Sequence, residues 1–130
     1  MRILVVDDDA ISRRVLTQIV SVYGSYDVAV DGREAIEIFK LSSDENDRYD
    51  LILLDITMPE LGGQDTLKEI RNIEDTFGIE GLKRTKIIMT TASDDFKNIS
   101  TAFNEQCDAY LVKPVSKSKL DESLKRLKLI

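Results

Sequence analysis

The chain has 130 residues, enough for one domain with its own core, and a net charge of −6 that argues against a basic nucleic-acid-binding face. It has no histidine and one cysteine, Cys107. That excludes histidine-ligated zinc, Ser-His or Cys-His nucleophilic catalysis, a phosphohistidine on this chain and an internal disulfide. No apolar run reaches membrane-span length and no signal peptide precedes the first strand, so a cytoplasmic setting is expected.

Arg2 to Val6 is a short apolar run without alternation, the mark of a strand buried on both faces of a parallel sheet. It ends in Asp7, Asp8 and Asp9. Adjacent acids repel unless a cation or a helix N-terminus receives them. Asp9 is read as the cap of the following helix. Asp7 and Asp8, at the strand end itself, fit either a cation site or a solvated turn. Ile11 to Val22 carries Ile11, Val15, Leu16, Ile19 and Val20 at helical spacing, and Gly24 is read as its stop. Tyr26 to Val30 reads as a second strand, Asp31-Gly32 as a turn, and Glu34 to Leu41 as a helix with Ala35, Ile36 and Phe39 on one face. Ser42 to Arg48 is polar and reads as an exposed loop.

Leu51 to Leu54 is the third strand, and Asp55 closes it, with Pro59 four residues further on. Alone, Asp55 fits a turn or helix cap. Leu61-Gly62-Gly63 reads as a turn and Gln64 to Ile73 as a helix with Leu67 and Ile70 inward. Thr76 to Arg84, with Gly78 and Gly81 among charges, reads as a longer connection. Thr85 to Thr91 is a fourth strand. Asp94 to Asn104 reads as a weakly amphipathic helix around Phe96, Ile99 and Phe103. Asp108 to Val112 is a fifth strand, followed by Lys113-Pro114, and Leu120 to Leu129 is the last helix. The expected fold is α/β: a doubly wound, flavodoxin-like, five-stranded parallel sheet of order 2-1-3-4-5, with helices on both faces and residues 1–130 as one domain.

In that order one crevice at the strand ends receives Asp7, Asp8, Asp55, Thr91 and Lys113. Three carboxylates there need compensating charge, which one ammonium and a hard divalent cation supply. Oxygen ligands without histidine or cysteine favour Mg²⁺. A carboxylate can also act as a nucleophile and carry an aspartyl phosphate, with a hydroxyl and a lysine holding the other phosphoryl oxygens. Thr90 is a second hydroxyl, directed by strand alternation to the side opposite Thr91.

Val5-Val6-Asp7-Asp8, Leu54-Asp55-Ile56-Thr57-Met58-Pro59, Gly63, Thr91-Ala92 and Lys113-Pro114 stand in order at strand ends along the whole chain. With these motifs the sequence resembles a response-regulator receiver domain of two-component systems, of the single-domain chemotaxis and sporulation type. The resemblance implies Asp55 as phosphoacceptor, with Mg²⁺ held by Asp8, Asp55 and the backbone carbonyl of Thr57, and Asp7 acting partly through water. It implies that Thr91 moves toward the phosphoryl group, that Lys113 pairs with it, and that Tyr110 is the switching aromatic. Pro114 fits the family's cis peptide, and Met58 reads as core. The donor would be a sensor histidine kinase or a histidine phosphotransfer protein, and the output an unidentified protein target. Neither nucleic acid nor membrane is an expected partner. A monomer is expected, with a phosphorylation-dependent dimer as the alternative. Such a chain is not a turnover enzyme; it takes a phosphoryl group onto itself and loses it slowly. Gly62, where an acid is usual, Gln106, and the long Thr76 to Arg84 connection depart from the family pattern and bear on loop shape and partner choice.

Three other readings remain. A Mg²⁺-dependent phosphohydrolase with an aspartyl nucleophile needs a second acid two residues on, where this chain has Thr57. A flavodoxin-like cofactor binder needs a phosphate loop after the first strand, where Asp7-Asp8-Asp9 would repel it. An excised receiver of a larger regulator or hybrid kinase fits the sequence as well as a stand-alone protein does.

Overall fold

Five short segments pair side by side in the computed structural model, which describes residues 1–92 and 107–130. They are β1 (Arg2–Val6), β2 (Ser25–Ala29), β3 (Leu51–Asp55), β4 (Lys86–Thr91) and β5 (Ala109–Val112). All pairings are parallel, in the order β2-β1-β3-β4-β5, as the sequence suggested. The helices are α1 (Ala10–Val20), α2 (Gly32–Asp44), α3 (Gly63–Thr76) and α4 (Lys117–Arg126). The helix expected over 94–104, and Gln106, lie outside the described residues.

Strand alternation divides the core in two. Leu4, Val6, Ile52, Leu54, Ile87 and Met89 point to one face, where they meet Phe39 of α2 and Leu67 and Ile70 of α3. Ile3, Val5, Leu51, Leu53, Ile88 and Leu111 point to the other, against Leu16 and Val20 of α1 and Leu120 and Leu124 of α4. This two-sided burial is why β1, β3 and β4 read as unbroken apolar runs. β2 is an edge strand, and only Ala29 of it is buried.

The helix ends correct several expectations. Asp9 does cap α1, accepting from Ser12 N–H at 2.9 Å. Asp31 caps α2 in the same way, accepting from Glu34 N–H at 2.8 Å, so Asp31-Gly32 starts the helix. α2 continues past Leu41 to Asp44. Ser42 and Ser43 are buried, and the Ser42 hydroxyl donates to the Phe39 carbonyl at 2.9 Å. Gly24 is not a helix stop: α1 ends before it, and a Cβ there would lie 1.9 Å from the Met1 carbonyl oxygen. The connection after α3 holds a 3₁₀ turn at Gly81–Lys83, with Gly78 and Gly81 at φ of +71° and +59°, a region open to glycine at little cost.

α3 outruns its expected end for a different reason. Arg71 and Glu74 are buried in a charged network. Arg71 donates to Glu74 at 2.7 Å, to the Thr85 carbonyl at 2.9 Å and to Asp108 at 3.0 Å. Glu74 also accepts from Thr85 N–H, and Asp108 from Ile87 N–H, both at 2.8 Å. The Thr85 hydroxyl donates to the Tyr49 carbonyl at 2.7 Å. The network ties α3 to the beginnings of β4 and β5, at the pole opposite the strand ends. Among the described residues, no helix is long and apolar enough to cross a membrane.

Candidate functional site

β1 and β3 are sheet neighbours, with Val6 opposite Leu54, so the residues that follow, Asp7 and Asp55, emerge side by side. Asp8 joins them. One carboxylate oxygen from each of the three lies within 4.8 Å of the others. Asp7 is fully buried, Asp55 is 4% exposed, and Asp8 faces solvent. Lys113 follows β5, and its ammonium reaches Asp7 at 2.7 Å and Asp55 at 3.4 Å.

Asp7 is held firmly. Its carboxylate accepts from Asp9 N–H at 2.9 Å, and the Arg13 guanidinium donates to its carbonyl at 2.8 Å. Arg13 was not among the residues expected at the site. Its position in the second turn of a helix that starts right after the acids was the available signal. Asp55 is held loosely, by Thr57 N–H at 3.3 Å and by Lys113 at a distance longer than a well-formed charged hydrogen bond. Burial pushes its carboxyl up to about 6, the Asp7 charge adds to the rise, and Lys113 opposes it. For Lys113, burial works against the charged form, but the bond to Asp7 and the charge of Asp55 outweigh it and raise its pKa.

The backbone behind Asp55 is packed tightly. Ile56 N–H donates to the Thr90 carbonyl and Gly63 N–H to the Ile56 carbonyl, both at 2.9 Å. A Cβ at Gly63 would lie 2.1 Å from the Asp55 carbonyl oxygen, so the first turn of α3 can close on this loop only with glycine there. Met58 is buried in the core, as expected, and the Lys113-Pro114 peptide is cis.

Thr91 ends β4 and is buried, and its carbonyl accepts from Lys113 N–H at 2.7 Å. Tyr110 stands opposite Met89 in β5 and is 38% exposed. The structure thus gathers Asp7, Asp8, Asp55 and Lys113, with Thr57 touching Asp55 through its N–H. Thr91 adjoins them through the backbone, and Tyr110 lies two register positions further back on the neighbouring β5. Three carboxylates against one ammonium leave a negative excess. With oxygen donors alone, that excess fits a hard divalent cation.

The response regulator receiver domain family matches residues 3–125. The chain is 33% identical over 129 residues to the chemotaxis protein CheY of Thermotoga maritima, covering 97% of this chain and 96% of that protein. It is 36% identical over 126 residues to the probable transcriptional regulator ycf27 of Porphyridium aerugineum, covering 95% of this chain and 46% of that protein. It spans less than half the length of several curated relatives. Among solved structures, the CheX-CheY-BeF3-Mg+2 complex from Borrelia burgdorferi matches with a TM-score of 0.83 and 25% identity, covering 98% of this chain and 89% of that one. The chain belongs to the response regulator receiver domain family, a class of phosphoacceptor modules in two-component signalling.

Proposed function

We propose that the chain takes a phosphoryl group onto Asp55 from a phosphohistidine donor, on a sensor histidine kinase or a histidine phosphotransfer protein, and relays the change to a protein target. The carrying observation is the convergence of Asp7, Asp8 and Asp55 within 4.8 Å, with Lys113 bridging two of them. One Asp55 oxygen attacks phosphorus, the P–N bond to the donor imidazole breaks, and the imidazole keeps that electron pair. With its pKa at about 6, Asp55 is mostly ionised at neutral pH and has a lone pair to give. Lys113 offsets part of the incoming charge, roughly −1.5 to −2. Arg13 and Asp9 fix Asp7, so the acid turn stays in place during transfer. Asp8, Asp55 and the Thr57 carbonyl are the groups that would hold Mg²⁺, with Asp7 partly through water, and the ion would neutralise charge on the phosphoryl oxygens.

Ile11 and Val15, 75% and 41% exposed, border Lys113 and Pro114 in an apolar groove, which supports a protein donor over a small ester. Thr57 offers no acid where a phosphohydrolase needs one, which supports slow loss of the phosphoryl group rather than turnover. Thr91 and Tyr110 are the switch, acting on the β5–α4 side. The acidic balance supports output through protein contacts rather than nucleic acid. Residues 1–130 act as one receiver unit, a monomer in the cytoplasm, where the buried free thiol of Cys107 is at home. The test is label transfer from acetyl phosphate or a phosphohistidine donor. Wild type should take up close to one equivalent and D55N none; equal uptake removes Asp55 from the site.

A further inference from the structure

Three side-chain polar atoms among the described residues are buried without a hydrogen-bond partner: Arg2 Nε, Ser43 Oγ and Thr90 Oγ1. Arg2 already pairs through its other nitrogens with Asp47 at 3.0 Å and Asp27 at 3.7 Å, and Ser43 lies near the end of α2. Thr90 is fully buried, and its register partner is Asp55. An unpaired hydroxyl inside a protein costs free energy that an isosteric valine would not, so its presence calls for a cause.

Strand alternation gives its direction. Ile88, two residues before Thr90, lies in the core on the α1–α4 face of the sheet, as do Leu51 and Leu53, which alternate with Asp55. Val5 places Asp7 on that face, and Leu111 places Lys113 there. Thr90 therefore shares a face with Asp7, Asp55 and Lys113. Adjacent strands are about 4.8 Å apart, so register partners on one face are within side-chain reach. A rotation about χ1 swings the Thr90 hydroxyl between staggered positions. Among the described residues, the carboxylate beside it is held only by contacts of 3.3 and 3.4 Å.

We propose that Thr90 is a positioning residue of the phosphoacceptor site, its hydroxyl rotating to donate a hydrogen bond to one Asp55 carboxylate oxygen and so aim the other at the donor phosphorus. This rests on the reading of Asp55 as the acceptor. No bond to the Thr90 oxygen forms or breaks during transfer; the hydroxyl narrows the orientations of the nucleophile.

Single-turnover phosphorylation by acetyl phosphate at saturating Mg²⁺ tests it in wild type, T90V and T90S. Valine keeps the shape and loses the hydroxyl; serine keeps the hydroxyl. T90V should lower the maximal rate constant about 10-fold, the scale of one hydrogen bond to a charged group, leaving half-saturation by donor and Mg²⁺ affinity within about twofold. T90S should restore most of the rate. The urea midpoint of T90V should equal or exceed that of wild type; a lower one means the hydroxyl is paired at rest and overturns the rotation. A wild-type rate in T90V overturns the proposal, as does a T90S as slow as T90V, since shape and not the hydroxyl would then matter. Uptake by wild type and T90V alike removes Thr90 alone. No uptake by wild type removes the Asp55 reading and Thr90's role with it.

Discussion

Replacing Asp55 with asparagine is expected to stabilise the metal-free protein near neutral pH while removing the nucleophile. In the unfolded chain this carboxyl titrates near its ordinary 3.8, and in the fold at about 6, because burial strips its water and Asp7 adds like charge. The folded state holds the proton more tightly. Asp55 therefore costs nothing below the unfolded pKa, and its burden grows as pH rises through about 6, then levels off. A rise of roughly two units at 1.36 kcal/mol each gives about 3 kcal/mol as the ceiling. Asp55 is 4% exposed, so water does little to screen this. Urea unfolding of wild type and D55N in EDTA at several pH values reads it directly. The D55N advantage should be about 2–3 kcal/mol at pH 8 and shrink toward zero near pH 4. Saturating Mg²⁺ at pH 8 should close most of the gap, since a cation supplies the missing charge. Equal midpoints at pH 8 in EDTA, or an advantage that persists at pH 4, would refute the reasoning.

Two further outcomes bear on the site. Asp8→Ala should weaken Mg²⁺ binding by calorimetry far more than Asp9→Ala, because Asp9 is engaged in capping α1; equal losses would reassign the acid triplet. Beryllofluoride with Mg²⁺ should draw Tyr110 inward from its 38% exposure and shift amide resonances along β5 and α4. Thr91→Ala should keep phosphorylation but blunt that response, and an undiminished response would uncouple the hydroxyl from the tyrosine.

The strands were legible because burial on both faces leaves an unbroken apolar run, and Leu51 to Leu54 has no other good home in a chain of this size. Asp7, Asp55 and Lys113 were legible because each directly follows or closes such a run. What escaped was polar, and most of it was buried. Ser42 and Ser43 looked like the start of an exposed loop, yet they continue α2. Arg71 fell within the expected helix and Glu74 just past its expected end, with nothing to single them out, yet they satisfy each other inside the protein. Burial of paired charge leaves no hydrophobic trace in a sequence. The Ser116 cap of α4, accepting from Lys119 N–H at 3.3 Å, was missed for lack of apolar residues in the first turn. Thr90 shows the limit of alternation read on one strand. Alternation alone related it to Thr91, and only the register with β3 put it on the same side as Asp55.

The charged knot of Arg71, Glu74 and Asp108 anchors β4 and β5 at the end away from the acid cluster. Their beginnings are bolted to α3 and, through Thr85, to the backbone of Tyr49. Their far tips carry Thr91 and Lys113. β4 is paired with β3 as far as Thr90 and with β5 as far as Thr91, so the strand itself is held along its length. What remains to adjust at the acid cluster is side chains and the loops past the ladder, and a rearrangement there leaves both cores and the distant knot in place.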